Sequence, residues 1–134
     1  QFNQANPGIK NKSRAGSESF RNIRYFDFIG APMKMMILSY NKEINQDNNK
    51  WTFEEIAKKH RKESNELAIA LLEKDTMHIA EEVFDQLQIC IDVLDKLESL
   101  GMNIEQMCMR HNKKLVMRKW VDKGVVKIAW QKNV

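Results

Sequence analysis

Apolar residues recur at helical spacing over two long stretches of the chain, and these stretches predict two consecutive α-helices. The first helix opens at Thr52-Phe-Glu-Glu55, which has the form of a capping box, and runs for about twenty residues. Its apolar side is interrupted by a polar patch around Glu63 and consists of Phe53, Ile56, Ala57, His60, Leu67, Ala68 and Leu71. The second helix runs from about Thr76 to Leu100, and Gly101 is placed to end it. Its stripe consists of Ala80, Val83, Phe84, Leu87, Cys90, Ile91, Leu94 and Leu97.

A polar step, Glu73-Lys74-Asp75-Thr76, separates the two stripes. We expect the chain to reverse there, which makes the two helices an antiparallel hairpin. Asn103-Ile-Glu-Gln106 predicts the start of a third helix, which reaches about Arg118 and packs across the hairpin. Residues 124–130 are rich in β-branched side chains, which favours a short strand or an extended tail, paired with the residues around Trp120. The predicted fold is therefore all-α, with a short C-terminal β-like tail.

The first fifty residues lack this long helical pattern, so we interpret them as an N-terminal extension of a domain over residues 51–134. Residues 1–24 are polar and without periodicity, which favours an extended or disordered segment. Residues 33–45 carry the spacing of a short helix, and residues 45–49 have the composition of a loop.

The composition is that of a single globular domain, with 134 residues, 43% of them hydrophobic and 30% charged. No run approaches the length of a membrane span and no signal-peptide pattern is present, so we expect a cytoplasmic protein without a membrane partner. Cys90 and Cys108 fall within predicted helices and lack CxxC spacing, which favours buried free thiols. His60, His78 and His111 are too widely separated to suggest a zinc site.

Charge is distributed unevenly behind the net value of +4. Residues 51–100 hold six Lys or Arg against twelve Asp or Glu, a net of −6, whereas residues 101–134 hold eight against two, a net of +6. An acidic centre followed by a basic segment fits a metal site with groups beside it that hold a polyphosphate. The basic segment lacks the interleaved aromatic residues of a nucleic-acid surface, so a nucleic-acid partner is not expected.

Two pairs of acids in the hairpin have the spacing of a metal site. Glu63 and Glu66, like Glu82 and Asp85, are three residues apart, which puts each pair on one helix face. The pairs lie about ten and nine residues from the turn, so at about 1.5 Å per residue they reach the same height. Clustered carboxylates resist ionisation unless a cation joins them, and oxygen ligands alone suit Mg²⁺ or Mn²⁺. Acid pairs of this spacing also occur on solvated helix faces. Asp92, seven residues after Asp85 on the same face, either supports the metal ligands from behind or is a solvated acid, and we expect the second.

The third helix ends in a cluster of donors, His111-Asn-Lys-Lys-Leu-Val-Met-Arg118. Lys114 and Arg118 are four residues apart and so share a face. As cations at a helix C-terminus they complement the helix dipole and need no ligand. Alternatively, Lys114 supplies a point charge and Arg118 a planar fork to phosphate oxygens. The residues alone leave both interpretations open.

The order of these motifs resembles that of the MazG-like, all-α nucleoside triphosphate pyrophosphohydrolases. An ExxE motif, a spacer of fifteen residues and an ExxD motif are followed by a helix of the form HNxKLxxR, and the resemblance covers roughly residues 52–120. It implies a Mg²⁺-dependent enzyme, with Mn²⁺ as a second candidate cofactor. The implied reaction is hydrolysis of NTPs or dNTPs between the α and β phosphates, which yields a nucleoside monophosphate and pyrophosphate.

The resemblance also implies roles for individual residues. The implied metal ligands are Glu63, Glu66, Glu82 and Asp85, with Glu63 or Glu66 as the catalytic base, and the implied substrate-binding residues are Asn112, Lys114 and Arg118. A homodimer or homotetramer is implied, in which helices of neighbouring subunits complete the site. The apolar flanks of an isolated hairpin favour such an oligomer independently. Ser64 stands where many members of that family carry a second acid, which leaves the number of metal ions open.

Two other functions fit the same residues. One is a non-hydrolytic protein that binds or sequesters nucleotides on the same scaffold. The other is a helical protein-interaction module whose acids only solvate its surface.

Overall fold

The computed structural model describes residues 33–133, and these are mostly helical. Contacts group Ile37–Val134 into one unit, which contains every element of secondary structure named below. The elements are β1 (Tyr40–Asn41), β2 (Gln46–Asp47), a 3-10 turn (Asn48–Lys50), α1 (Phe53–Glu73), α2 (Thr76–Ser99) and α3 (Ile104–Met117). The predicted all-α class is confirmed, and none of the described helices is long and apolar enough to cross a membrane. The expectation for residues 1–24 falls outside the described residues.

Helices α1 and α2 form the predicted hairpin, and its ends are set by local capping. Thr52 Oγ1 accepts a hydrogen bond from the backbone N–H of Glu55 at 3.1 Å, and Glu55 Oε2 accepts one from the backbone N–H of Thr52 at 2.9 Å. This is the reciprocal capping box that the sequence predicts. The helix ends at Glu73, and its C-cap residue Lys74 adopts a left-handed conformation with φ of 62°. Asp75 then caps α2 by accepting bonds from the backbone N–H groups two and three residues later.

The interface between α1 and α2 has a narrow apolar core. The buried apolar side chains of the described residues are Ile56 and Ala70 on α1 and Ile89 on α2. Polar contacts centred on Gln86 join the helices beside this core. Gln86 Nε2 lies 2.8 Å from His60 Nδ1, and Gln86 Oε1 accepts a hydrogen bond from Ser64 Oγ at 3.3 Å. The hairpin is therefore fixed by side-chain hydrogen bonds close to the predicted acidic site.

The expectation of buried cysteine thiols is wrong, because Cys90 and Cys108 are both exposed. The apolar face of α2 is wider than the part of it that α1 covers, so Cys90 at the edge of that face stays accessible to solvent. For the same reason Val83, Phe84 and Leu87 on α2 remain 37–43% exposed.

The predicted helix over residues 33–45 is also wrong. Residues 33–39 have no regular structure, and the chain then forms a two-stranded antiparallel hairpin in which Tyr40 pairs with Asp47. Asn41 Oδ1 accepts a hydrogen bond from the backbone N–H of Glu43 at 3.0 Å, and Asn45 is left-handed with φ of 51°. Such local bonds from Asn side chains compete with helix formation and favour a turn. The predicted loop that follows includes β2 and the beginning of the 3-10 turn.

The third helix begins and ends close to the predicted positions. Gly101 follows α2 with φ of 94°, a conformation that glycine adopts readily. Asn103 Oδ1 then accepts a hydrogen bond from the backbone N–H of Gln106 at 3.0 Å and caps α3. Helix α3 contacts α2, and Arg118 is its C-cap residue.

The segment after α3 contains neither helix nor strand within residues 118–133, so of the two predicted alternatives, a short strand or an extended tail, the strand is absent. Val125 and Val126 are more than 80% exposed, and without a neighbouring strand β-branched residues alone do not form a ladder. Lys132 Nζ fixes the segment to the last turns of α2, at 2.6 Å from Asp95 Oδ1 and 2.8 Å from Glu98 Oε1. These two hydrogen bonds raise the pKa of Lys132.

Candidate metal centre

Three of the four predicted acids converge at one place in the hairpin. Glu63 and Glu66 of α1 and Glu82 of α2 each offer a carboxylate oxygen, and these oxygens lie within 4.8 Å of one another. Opposite ligands of an octahedral Mg²⁺, each about 2.1 Å from the ion, are about 4.2 Å apart. At most one pair among three ligands can be opposite, and adjacent ligands are about 3.0 Å apart, so the three carboxylates of this acidic triad have to rotate closer together before they could hold one divalent cation.

Two oxygens of the acidic triad are buried without a hydrogen-bond partner. They are Oε2 of Glu63, a residue only 5% exposed, and Oε2 of Glu82. A buried carboxylate oxygen that accepts no hydrogen bond destabilises the folded state, because it has lost its hydration without replacement. A cation placed between the helices would supply the missing partner of both atoms.

The other oxygen of Glu63 and that of Glu82 each have a nitrogen partner one helical turn earlier. Lys59 Nζ lies 3.0 Å from Glu63 Oε1, and His78 Nε2 lies 3.3 Å from Glu82 Oε1. The second ring nitrogen of His78 is 3.7 Å from Glu73 Oε2. Glu63 and Glu82 thus share one arrangement, in which Oε1 is paired and Oε2 is not.

The third acid, Glu66, is less buried and has a perturbed carboxyl group. Its partial burial, followed by the negative charge of Glu63, raises the pKa of Glu66 above the ordinary value of 4.5. A hydrogen bond from the neutral Glu66 carboxyl to Glu63 and the charge of Glu82 act in the same direction, while Lys62 opposes the shift. With Glu66 ionised that bond is lost, and Oε2 of Glu63 has no partner. Without a cation, Glu66 therefore retains its proton to a higher pH than an isolated glutamate.

The fourth predicted ligand, Asp85, lies outside this group. Its side chain is exposed, and the triad does not include it. Residues three apart on a helix differ by about 60° around its axis. A narrow interface that faces Glu82 therefore leaves Asp85 at the edge of the hairpin.

Asp92 is buried, which overturns the expectation that it is a solvated acid. The residue is 9% exposed and accepts hydrogen bonds from Gln88 Nε2 at 3.2 Å and Asn48 Nδ2 at 3.4 Å. Burial raises the pKa of Asp92, and the bonds from Gln88 and the backbone of Leu38 oppose that rise. Asp92 thus attaches the segment that precedes α1 to the middle of α2.

The predicted substrate-binding residues all lie on or after α3 and are exposed: Asn112, Lys114 and Arg118. Asn112 Nδ2 is 3.9 Å from Cys108 Sγ, a weak contact within the helix. Among the described residues, no hydrogen bond or ion pair joins these three side chains to the acidic triad. Within a single chain, the exposed position of Lys114 and Arg118 at the end of α3 is compatible with both interpretations, favourable interaction with the helix dipole and phosphate binding.

The sequence interpretation missed Lys59 and His78. Each precedes a predicted ligand by four residues, the spacing at which helical side chains meet. The spacing of four residues could have indicated both contacts from the sequence, because a donor one helical turn before a glutamate is placed to contact one of its carboxylate oxygens.

Comparison of the chain with protein-family models, curated proteins and solved structures finds no match. The resemblance to MazG-like enzymes therefore rests on the motifs and their spacing.

Proposed function

We propose that this protein is a Mg²⁺-dependent hydrolase that splits NTPs or dNTPs between the α and β phosphates. The observation that carries the proposal is the acidic triad, since it joins both helices of the hairpin and contains two buried oxygens without partners. Mn²⁺ suits the same oxygen ligands. The choice of the α–β bond comes from the motif order, because carboxylate-bound metal can serve attack at any of the three phosphorus atoms.

The acids have distinct roles in this proposal. Glu63 and Glu82 would hold the metal through their unpaired oxygens, and Asp85, one turn after Glu82, would contribute a further carboxylate beside it. Glu66 is the better general base, because it belongs to the triad and is more exposed than Glu63, which leaves its carboxylate accessible to water. A water proton passes to Glu66 as the water oxygen bonds to the α phosphorus, and pyrophosphate leaves with the α–β bridging oxygen. The metal, when bound, neutralises charge on the phosphate oxygens and lowers the pKa of the water.

Asn112, Lys114 and Arg118 bind the pyrophosphate portion of the substrate in this proposal. All three are exposed, which leaves their donors accessible. A second copy of the chain could bring these residues to the triad, since no hydrogen bond or ion pair joins the two groups within residues 33–133 of one chain.

A homodimer or homotetramer accounts for the apolar side chains that the hairpin leaves uncovered. These are Val83, Phe84 and Leu87 on α2 and Met107, Met109, Val116 and Met117 on α3, each at least 37% exposed. Apolar surface of this extent is characteristic of an interface. Light scattering coupled to gel filtration distinguishes the monomer from both oligomers by mass.

A cytoplasmic location fits the proposal, because nucleotides and Mg²⁺ are both abundant there.

Two observations favour alternative functions. The position of Asp85 outside the triad favours a protein that binds Mg²⁺ and nucleotide without hydrolysis. The exposed apolar residues of α2 and α3 favour a protein-interaction module.

A pyrophosphate-release screen over all NTPs and dNTPs with Mg²⁺ tests the proposal against both alternatives. We expect release with at least one nucleotide and its loss in Glu66→Gln, which keeps the shape of the side chain. Nucleotide binding without release supports sequestration. The absence of both nucleotide binding and any Mg²⁺-dependent gain in thermal stability supports the interaction module.

A further inference from the structure

Glu63 and Glu82 of the triad carry the same kind of partner at the same spacing. Lys59 contacts Oε1 of Glu63, and His78 contacts Oε1 of Glu82, in both cases from four residues earlier on the same helix. In both cases Oε2 is the buried atom without a partner. The repetition on two different helices, with two different donor residues, points to one common role.

We propose that Lys59 and His78 are positioning residues of the metal centre. Each holds Oε1 of the carboxylate that follows it by one turn, and thereby leaves Oε2 of Glu63 or Glu82 for the cation. The proposal rests on the metal centre of the proposed function, but it does not depend on which reaction that centre performs.

Repulsion within the acidic triad is the reason that positioning is needed. A glutamate side chain has three rotatable bonds, and the neighbouring carboxylates drive it away from the cluster towards solvent. A donor one turn earlier restricts those rotations before any cation arrives, because helical side chains at this spacing meet. His78 also lies near Glu73, the last residue of α1, so its ring spans the reversal of the hairpin. Hydrogen bonds to the atoms behind metal ligands commonly change metal affinity by about 10- to 100-fold.

Charge has to be separated from hydrogen-bond donation in any test. A lysine ammonium beside a ligand orients the carboxylate but also repels a divalent cation, so a simple truncation changes both effects. Glutamine and methionine provide a matched pair, because both are uncharged, similar in length and good helix formers. Only glutamine has an N–H group that can donate to the carboxylate four residues later.

The experiment measures Mn²⁺ affinity by electron paramagnetic resonance, which detects free Mn²⁺, for both members of each pair. The variants are Lys59→Gln with Lys59→Met, and His78→Gln with His78→Met. We expect the glutamine variant to bind Mn²⁺ about tenfold more tightly at each position. Lys58 is exposed and adjacent to Lys59, so Lys58→Gln and Lys58→Met form the control pair and should differ by less than about twofold. Circular dichroism confirms that each variant has kept its helices.

The outcomes separate this proposal from the proposed function. Equal affinities within the pair at a position overturn the positioning role of that residue. If the wild-type protein does not bind Mn²⁺, or Glu82→Gln binds it equally well, both the metal centre and the positioning role are refuted. Binding with the expected donor preference but without nucleotide hydrolysis supports the positioning role and refutes the reaction.

Discussion

Glu63 and Glu82 belong to opposite helices of the hairpin, yet each has a buried Oε2 atom that accepts no hydrogen bond. Glu63 is paired through Oε1 to Lys59, and Glu82 is paired through Oε1 to His78. Two such unpartnered oxygens on neighbouring helices lower the free energy of unfolding, because each loses its hydration on burial. A divalent cation shared by the two carboxylates, as proposed above, would give both oxygens a partner and would link α1 to α2.

The first prediction concerns thermal stability with and without Mg²⁺. A cation that binds only the folded state adds about 2.7 kcal/mol to the free energy of unfolding when its free concentration is 100 times its Kd. Scanning calorimetry should show this gain for the wild-type protein and its loss for Glu82→Gln. Asp85→Asn is the matched control and should retain most of the gain, because Asp85 is exposed and outside the triad. An equal loss in both variants would show that Asp85 is a full ligand.

The second prediction concerns pH. Because the pKa of Glu66 is raised above 4.5, the metal-free folded state binds a proton that the unfolded state has released. The contribution of the Glu66 carboxyl to the free energy of unfolding is therefore lost as the pH rises from about 4.5 through the pKa of Glu66 in the folded state. The melting temperature of Glu66→Gln minus that of the wild-type protein should be near zero at pH 4 in EDTA and should grow as the pH rises to 7. A difference that is independent of pH would contradict the assigned environment of Glu66.

The third prediction concerns Asp92, which does not belong to the metal centre. Asp92→Ala removes a buried carboxylate that accepts hydrogen bonds from Asn48 Nδ2 and Gln88 Nε2. We expect the free energy of unfolding to fall by about 1–3 kcal/mol in urea titrations. Asp85→Ala, on the same helix but exposed, should change it by less than about 0.5 kcal/mol. Equal effects of the two variants would mean that the Asp92 hydrogen bonds contribute no net stability.

The helices were predictable because each has strong local signals. The capping box at Thr52, the polar reversal at Lys74 and the cap at Asn103 determine where helices begin and end through contacts within a few residues. The segment before α1 was not predictable from apolar spacing alone. Its hairpin depends on Asn side-chain bonds and on a long-range contact with Asp92.

The site was predictable in part for a related reason. Helical spacing and equal distance from the turn suffice to bring Glu63, Glu66 and Glu82 together. Whether Asp85 joins them depends on how the two helices are rotated about their axes, and side chains such as Gln86 and Ser64 influence that rotation. The burial of Asp92 likewise depends on a segment distant in sequence, so no pattern within α2 indicates it.

The fourth prediction concerns Arg118. Arg118→Lys keeps the positive charge but loses the planar pair of donors that matches phosphate oxygens. We expect kcat/KM for the nucleotide to fall about tenfold, the equivalent of one charge-assisted hydrogen bond, while Mn²⁺ affinity stays unchanged. Lys113→Arg, in the same basic segment and also exposed, serves as the control and should be neutral. If Arg118→Lys lowers the melting temperature and leaves kcat/KM unchanged, Arg118 has a structural role at the end of α3.

The most direct test of the proposed function is chromatography of the products formed from a nucleoside triphosphate with Mg²⁺. Water attack at the α phosphorus predicts a nucleoside monophosphate and pyrophosphate in equal amounts, without diphosphate or orthophosphate. An analogue with an imido or methylene group between the α and β phosphates should bind and resist cleavage. An analogue substituted between the β and γ phosphates should still be split. A nucleoside diphosphate with orthophosphate would contradict the proposed reaction, even if the acidic triad binds metal.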